Sequence, residues 1–333
     1  MNIKDVAKLA KVSKSTVSRV LNTPERVNAE MRQRVLEVVR ETGYRPNALA
    51  KELVIKETRL IGVIVPRINT NVFADIVEGI TLRLSENGYN VILLCSKADE
   101  AIEISHFEFL QKKQVDGIIF FPGNMTLALR HLINTLTTPL IILGLDDPLI
   151  KRSAVSYDEY KSSKAIVEHF ISQGHKQIAF IGIDKERSPV GQERKLGYMD
   201  ALKTHGVPLI QNYIYEGSFE LQSGFKGASS IFSNSEIPPT AIFAATDYLA
   251  IGAINYLTSH GLSVPEDVSV AGFDDLEISV YFNPSITSIK FDYFHSGEVA
   301  AQFVVENIHE PSIIRKYMLG FQIINRESTQ RKP

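Results

Sequence analysis

Cysteine is nearly absent from this sequence: Cys95 is the only one in 333 residues. No internal disulfide can form, and no cysteine-based metal cluster can be built. Long apolar runs are missing as well. No stretch reaches the ~18 apolar residues that a membrane-spanning helix needs. The opening Met1-Asn2-Ile3-Lys4-Asp5 is polar, with no apolar signal core behind it. These absences point to the cytoplasm, with no membrane partner. The signatures of several enzyme classes are also lacking. Gly62 belongs to no Gly-x-Gly-x-x-Gly loop, and no Walker-type Gly-Lys-Ser/Thr segment or Gly-x-Ser-x-Gly elbow occurs. The eight histidines, His106, His131, His169 and His175 among them, show no metal-ligand spacing. The expectation is a protein that is not an enzyme, with no cofactor, no metal and no catalytic residue.

The chain is too long for one hydrophobic core, which predicts two or three domains. Its net charge of −2 hides an asymmetry. Residues 1–59 hold 13 Lys/Arg against 7 Asp/Glu, a net of +6, and the rest of the chain nets −8. A basic head on an acidic body suggests that the head meets a polyanion.

Within the head, Ile3, Val6, Ala7 and Ala10 recur at helical spacing. After a break at Lys11-Val12, Ser13 can cap a second helix through its hydroxyl. Val17, Val20 and Leu21 face inward there, leaving Lys14, Ser15, Thr16, Ser18, Arg19 and Asn22 as the polar set. Two short helices joined by a tight turn make a helix-turn-helix, whose second helix can lie in a DNA major groove. Pro24 ends that helix. A third is predicted from Ala29 to Thr42, with Met31, Val35, Leu36 and Val39 as its apolar stripe and Gly43 as its stop.

The run from Ile3 to Asn22, Ile-Lys-Asp-Val-Ala-Lys-Leu-Ala-Lys-Val-Ser-Lys-Ser-Thr-Val-Ser-Arg-Val-Leu-Asn, resembles the opening signature of the lactose/galactose repressor family. So does Gly43-Tyr44-Arg45-Pro46-Asn47-Ala48-Leu49-Ala50. The family pattern usually has glycine where this chain has Lys11, so a left-handed turn residue there would be strained. The resemblance implies that Lys14, Ser15 and Arg19 read bases, Arg19 through a fork suited to guanine O6 and N7. It implies that Thr16, Ser18 and Asn22 touch phosphate or support the helix. The segment Asn47 to Leu53 is a short amphipathic helix candidate with no core of its own. In the family such a segment folds on operator DNA, two copies packing through a small residue, here Ala50, and wedging a leucine, here Leu53, into the minor groove. Glu52 departs from the small polar residue expected there, and a carboxylate beside phosphates is unhelpful.

From Leu60 onward the pattern changes. Strand runs at 61–65, 91–94, 117–121 and 140–144 alternate with helical stretches at 72–87, 101–113 and 127–136. The alternation restarts at Val155, with strands at 178–181, 214–216, 241–244 and 268–272. Strand–helix alternation implies parallel doubly wound sheets. The fold expected is a small all-α helix-turn-helix head joined by a hinge helix to an α/β body of two subdomains, like a periplasmic binding protein. The boundaries expected are 1–46 for the head, 47–59 for hinge and linker, and 60–333 for the body. Within the body, the first half takes about 60–157 and 289–320, and the second about 158–288 and 321–333.

The resemblance continues through Gly174 to Gly182, Arg194-Lys195-Leu196-Gly197-Tyr198, Pro239 to Asp247 and Val268 to Asp275, with Thr287-Ser288-Ile289 as a crossing between halves. Ligands of open α/β sheets bind beyond the carboxyl ends of the strands, so both halves would aim into the cleft between them. Asp146, Arg194 and Asp274 are expected to converge there and bind vicinal hydroxyls. Phe73, Phe219 and Tyr293 could offer flat apolar faces to a sugar ring or a planar base. Thr246 stands where many relatives carry Asn and offers a single hydroxyl. Bland roles stay open: Arg194 with Asp274 as an ion pair between the halves, and Asp146 as a helix cap. Asp247 and Asp275 are expected to support backbone or helix starts.

The expected function is a dimeric DNA-binding repressor of carbohydrate-utilisation genes, its partners a palindromic double-stranded operator, a small-molecule effector (a sugar by expectation) and a second copy of itself. A sugar-binding protein without a DNA role, an enzyme acting on a sugar, and a co-repressor-dependent regulator of purine or global carbon metabolism remain the alternatives.

Overall fold

The computed structural model describes residues 2–44, 57–184 and 189–331. The chain divides into two compact units, Met1–Thr58 and Arg59–Pro333.

In the first unit, α1 (Ile3–Leu9) opens with a capping box. The Asn2 side chain accepts from the Lys4 amide at 2.8 Å, and Asp5 accepts from the Asn2 amide at 2.8 Å. The helix ends in a Schellman motif, with Lys11 N–H bonded to the Lys8 carbonyl and Val12 N–H to that of Ala7. Lys11 takes the left-handed position, φ 54°, where glycine costs nothing and lysine is strained. Lys11→Gly is therefore expected to stabilise the head by about 0.5–1 kcal/mol, the strain relieved less the extra chain entropy of glycine. Slower hydrogen exchange at Val12 and Val17 would show it; faster exchange would refute it.

Ser13 caps α2 (Lys14–Asn22), accepting from the Thr16 amide at 3.0 Å. Asn28 caps α3 (Ala29–Thr42), which ends on left-handed Gly43. Val6, Ala7, Ala10, Val17, Val20 and Val35 form the buried centre. The stripe expected on α3 is corrected in part: Val35 is buried and Val38 and Val39 pack against the centre, whereas Met31 and Leu36 are exposed. A core this small admits one narrow face of a 14-residue helix.

The second unit contains two sheets of six strands. The first sheet is built from β1 (Leu60–Val65), β2 (Asn90–Cys95), β3 (Gly117–Phe120), β4 (Leu140–Gly144), β5 (Ser153–Tyr157) and β11 (Lys316–Leu319). Its order is β11-β5-β4-β3-β1-β2, and every pairing is parallel. The second sheet holds β6 (Ile178–Ile183), β7 (Ile214–Gly217), β8 (Ala241–Ala244), β9 (Ser269–Phe273), β10 (Thr287–Phe291) and β12 (Phe321–Ile324), ordered β12-β10-β9-β8-β6-β7. Only β12 runs antiparallel to its neighbour. Runs such as Ile61 to Val65 are buried throughout, as strands covered by helices on both faces must be.

The helices are α4 (Asn71–Glu86), α5 (Glu100–Lys112), α6 (Leu127–Thr135), α7 (Glu159–Ser172), α8 (Pro189–Thr204), α9 (Leu221–Asn234), α10 (Asp247–Ser259), α11 (Glu277–Tyr281) and α12 (Tyr293–His309). Several start just past a strand's carboxyl end on a side-chain cap, supplied by Asp158, Thr246 and Asp292 for α7, α10 and α12.

The chain crosses between the sheets after β5, after β10 and between β11 and β12. The second crossing falls later than the sequence suggested. Ile289, Lys290 and Phe291 pair with Ile323, Gln322 and Phe321 inside the second sheet, so the segment expected to begin the return at 289 does so after Phe291. The strand is held to full length because β9 and β12 flank it on both sides. Beyond β12 the tail stays bound: Ser328 is buried, donates to the Val270 carbonyl at 2.6 Å and accepts from the Thr287 amide at 2.9 Å.

Candidate DNA-reading helix and effector site

On α2, Lys14, Ser15 and Arg19 are exposed, and Thr16 and Ser18 are half-buried. The Ser13 hydroxyl does more than cap the helix. It lies 2.7 Å from the Ser15 hydroxyl and 2.8 Å from that of Thr16, so the first turn arrives with its polar groups ordered. Lys14 and Arg19 lie on the outer side, away from Val17 and Val20. A helix with a buried apolar stripe and cations outward can enter a major groove without rearranging its own core. Asn22 closes α2; its side chain, like Ala50, Leu53 and the whole hinge segment Asn47–Leu53, lies outside the described residues.

In the body, Arg194 of α8 is the centre of a buried cluster. It is 4% exposed. Its Nε donates to Glu159 at 2.8 Å, one Nη reaches the Asp274 carboxylate at 3.5 Å, and the other donates to the Ala245 carbonyl. The guanidinium lies 3.5 Å from the centre of the Phe273 ring. Burial opposes the Arg194 charge, but Glu159 and Asp274 more than offset it and hold its pKa above the ordinary value. The Tyr293 hydroxyl, at the start of α12, donates to Asp274 at 2.8 Å. Burial pushes the Asp274 carboxyl up to about 6, against the pull of Arg194 and of the Tyr293 hydroxyl.

Three of the seven expected effector residues, Arg194, Asp274 and Tyr293, thus meet. The ion pair is internal to the second half: α7, α8 and the β9 end all belong to it, and only Tyr293 comes from beyond a crossing. Asp274 also has φ 104° and Asp275 φ 51°. Two consecutive left-handed non-glycine residues cost free energy, and strain of this kind collects where function requires a particular side-chain direction.

The other four are placed differently. Asp146 is exposed and pairs with Lys316 of β11, so it does not join the Arg194 cluster. The capping role considered for it does not arise, since no helix starts between β4 and β5; its neighbour fastens the turn there instead. Asp147 is buried, accepts from the Leu149 amide at 2.9 Å and holds Arg130 Nε at 2.7 Å. Thr246 is buried, and its hydroxyl accepts from the Leu249 amide at 3.2 Å. Phe73 packs edge-on against Phe121, centroids 5.0 Å apart. Phe219, just past β7, is half-buried, and the guanidinium of Arg67, just past β1, lies 3.8 Å from its ring centre. That contact joins the carboxyl ends of the two sheets.

Sequence reasoning missed Glu159, Arg67 and Phe273. Glu159 carried a weak signal, an acid in the first turn of a helix directly after a strand. Phe273 stood inside the Val268 to Asp275 motif beside Asp274, whereas Arg67 had no signal, since its importance comes from a ring far away in sequence. A cavity of about 350 Å³, lined by Asp184, Gln192, Lys195 and Glu216, lies at the carboxyl ends of β6 and β7. It is large enough for a small ligand, and none of the seven expected residues lines it.

Comparison with known proteins agrees with both units. Residues 2–47 match the family model for bacterial regulatory proteins, lacI family, and residues 167–329 match the periplasmic binding protein-like domain. Catabolite control protein A of Priestia megaterium is 33% identical over 332 residues, covering 99% of each chain. The solved structure of the Lac repressor dimer bound to operator and the anti-inducer ONPF superposes with a TM-score of 0.89, at 26% identity and 99% coverage of each chain. That of the transcriptional regulator CelR–cellobiose complex gives 0.75, at 26% identity, covering 98% of this chain and 99% of that one. Among the described residues no helix is long and apolar enough to cross a membrane. The full-length match and the family model over the head lead to one assignment: the chain belongs to the lacI family of bacterial regulatory proteins.

Proposed function

We propose that this chain is a sequence-specific DNA-binding repressor, acting as a homodimer in the cytoplasm, whose operator affinity is set by a sugar or related small molecule bound between the two halves of the body. The observation that carries the reading is the outer face of α2, where Lys14, Ser15 and Arg19 stand exposed on a helix whose first turn is already ordered by Ser13. The basic balance of the head supports it, and so does the operator held by the Lac repressor dimer. Two-fold symmetry of a dimer matches a palindromic site. Exposed Ile278, Val280 and Tyr281 on α11 offer apolar surface to a second copy.

The effector reading is supported by the Arg194–Asp274–Tyr293 cluster and by cellobiose in the complex of a structural neighbour. An effector can switch the protein only by binding one arrangement of the halves better than the other, and coupling energies of about 1–3 kcal/mol are typical.

Fluorescence anisotropy with a palindromic duplex against a random one, at physiological salt, tests the DNA reading. A preference for the palindrome is expected, with affinity falling steeply as salt rises; equal affinity would sink it. Thermal shift across mono- and disaccharides, their phosphates and purines tests the effector. A ligand at 100 times its dissociation constant adds about 2.7 kcal/mol of stability.

A further inference from the structure

Arg67 follows the end of β1 by two residues, and Phe219 follows the end of β7 by two. Both side chains are half-buried, and the guanidinium carbon lies 3.8 Å from the centre of the Phe219 ring. A separation this short fits two planes lying face to face, since carbon atoms in contact sit about 3.5–4.0 Å apart. A guanidinium stacked in this way spends only its flat face on the ring. Its five N–H groups lie in its own plane and point outward around the ring's edge. That fork matches a carboxylate or a phosphate through two parallel bonds.

The side chains suited to a neutral sugar are engaged elsewhere. Asp146 pairs with Lys316, and the Thr246 hydroxyl accepts from the Leu249 amide. Arg194 is divided among Glu159, Asp274 and the Ala245 carbonyl. Tyr293 donates to Asp274 Oδ1, the same oxygen that Arg194 reaches, which leaves Oδ2 to take a ligand hydroxyl. A neutral sugar offers a guanidinium only hydroxyl oxygens, whereas an anion forms shorter bonds about twice as strong. One face of Phe219 is covered by Arg67, so the ring serves as the platform that holds the fork still. Ordering a long side chain before the ligand arrives lowers the entropy lost on binding.

We propose that the effector is an anionic sugar, bearing a carboxylate or a phosphate, that Arg67 receives the anion, and that Phe219 is the positioning residue that holds Arg67 for it. Binding between the halves is the function proposed above, on which this rests; the negative charge of the ligand is what is added. Arg67 comes from the first half and Asp274 from the second, so one ligand that gives its anion to Arg67 and a hydroxyl to Asp274 touches both. Such a ligand has a differential interaction with the arrangement that brings the two sides together, as an effector needs.

Isothermal titration calorimetry of the full chain compares D-glucose and D-galactose with D-glucuronate, D-galacturonate and D-glucose 6-phosphate. At least one anion is expected to bind about 10-fold or more tighter than its neutral parent, and to weaken as salt rises. The uronates against the phosphate tell which anion the site takes. Arg67→Ala should bring that anion down to the affinity of the neutral sugar. Arg67→Lys keeps the charge without the fork and should fall between; it also serves should the alanine variant not fold. Phe219→Leu should weaken the anion and not the neutral sugar, and should add nothing in an Arg67→Ala background, whereas a purely structural ring would weaken both sugars alike. A neutral sugar that binds as tightly as its acid and phosphate, or an anion unmoved by Arg67→Ala, overturns the proposal and leaves the effector reading in place. Binding by none of the five overturns it as well, and the wider thermal-shift screen then decides the effector reading separately.

Discussion

Arg194→Ala is expected to destabilise the body by about 3–5 kcal/mol, the range for removing one partner of a buried ion pair. The size follows from what the guanidinium leaves behind. Glu159 and Asp274 remain buried with no cation between them, the Ala245 carbonyl loses its donor, and the Phe273 ring loses the group stacked on it. The loss should itself depend on pH. Without Arg194 the Asp274 carboxyl, already pushed up to about 6 by burial, will hold its proton to still higher pH. A raised acid stabilises the folded chain at low pH and loses that contribution as pH rises, so the variant should recover part of its stability under mildly acidic conditions. Denaturant unfolding at two pH values measures both effects. Arg194→Lys keeps a charge but not the fork that serves three acceptors, and should fall between the two. A shift below about 1 kcal/mol for Arg194→Ala would mean that the cluster is solvated and not a sealed core.

The second large effect belongs to the head. Arg19→Ala is expected to cost about 1–3 kcal/mol in operator affinity, roughly 5- to 150-fold, and to relax selectivity at the base pair it reads. Lys14→Ala should weaken binding as well. If its contact is to phosphate, the loss will be even across sequences, and the slope of log affinity against log salt will shrink by about 0.9. Both side chains are exposed on α2, so neither change should alter the fold, and circular dichroism provides the control. Anisotropy titrations on the preferred palindrome and on a scrambled duplex separate the two behaviours. Unchanged operator affinity in the double variant would remove α2 as the reading helix.

How much could be read in advance depended on the range of the interactions. The head was legible nearly to the residue, because caps, helical periodicity and chain stops act within a few positions. Ser13 before α2 and Gly43 after α3 are each a local hydrogen-bonding or steric requirement. Even the strain at Lys11 could be anticipated, since the turn dictates φ whatever residue fills it. The central strands were legible because burial on both faces demands unbroken apolar runs, as in Leu140–Gly144. The edge strands β11 and β12 were not. Lys316 to Met318 of β11 are exposed, and β12 is only four residues long with a half-buried Phe321 and Ile323, so neither has the unbroken apolar run of a central strand, and pairing with a distant partner makes them strands.

At the candidate effector site the same division holds. Asp274, Arg194 and Tyr293 could be picked from motifs at strand and helix ends, and the structure brings them together. Asp146 could be picked in the same way and turns elsewhere, because a long lysine on β11 reaches it first. Sequence alone determined the head helices and the central strands, the division into head and body, and the chemical character of each, since those follow from local sterics, periodicity and charge. Tertiary structure alone decided which carboxylates share Arg194 and that Arg67 covers the ring of Phe219. Those outcomes depend on distances between residues tens to hundreds of positions apart, and on the loss of water around them, neither of which any stretch of sequence encodes by itself.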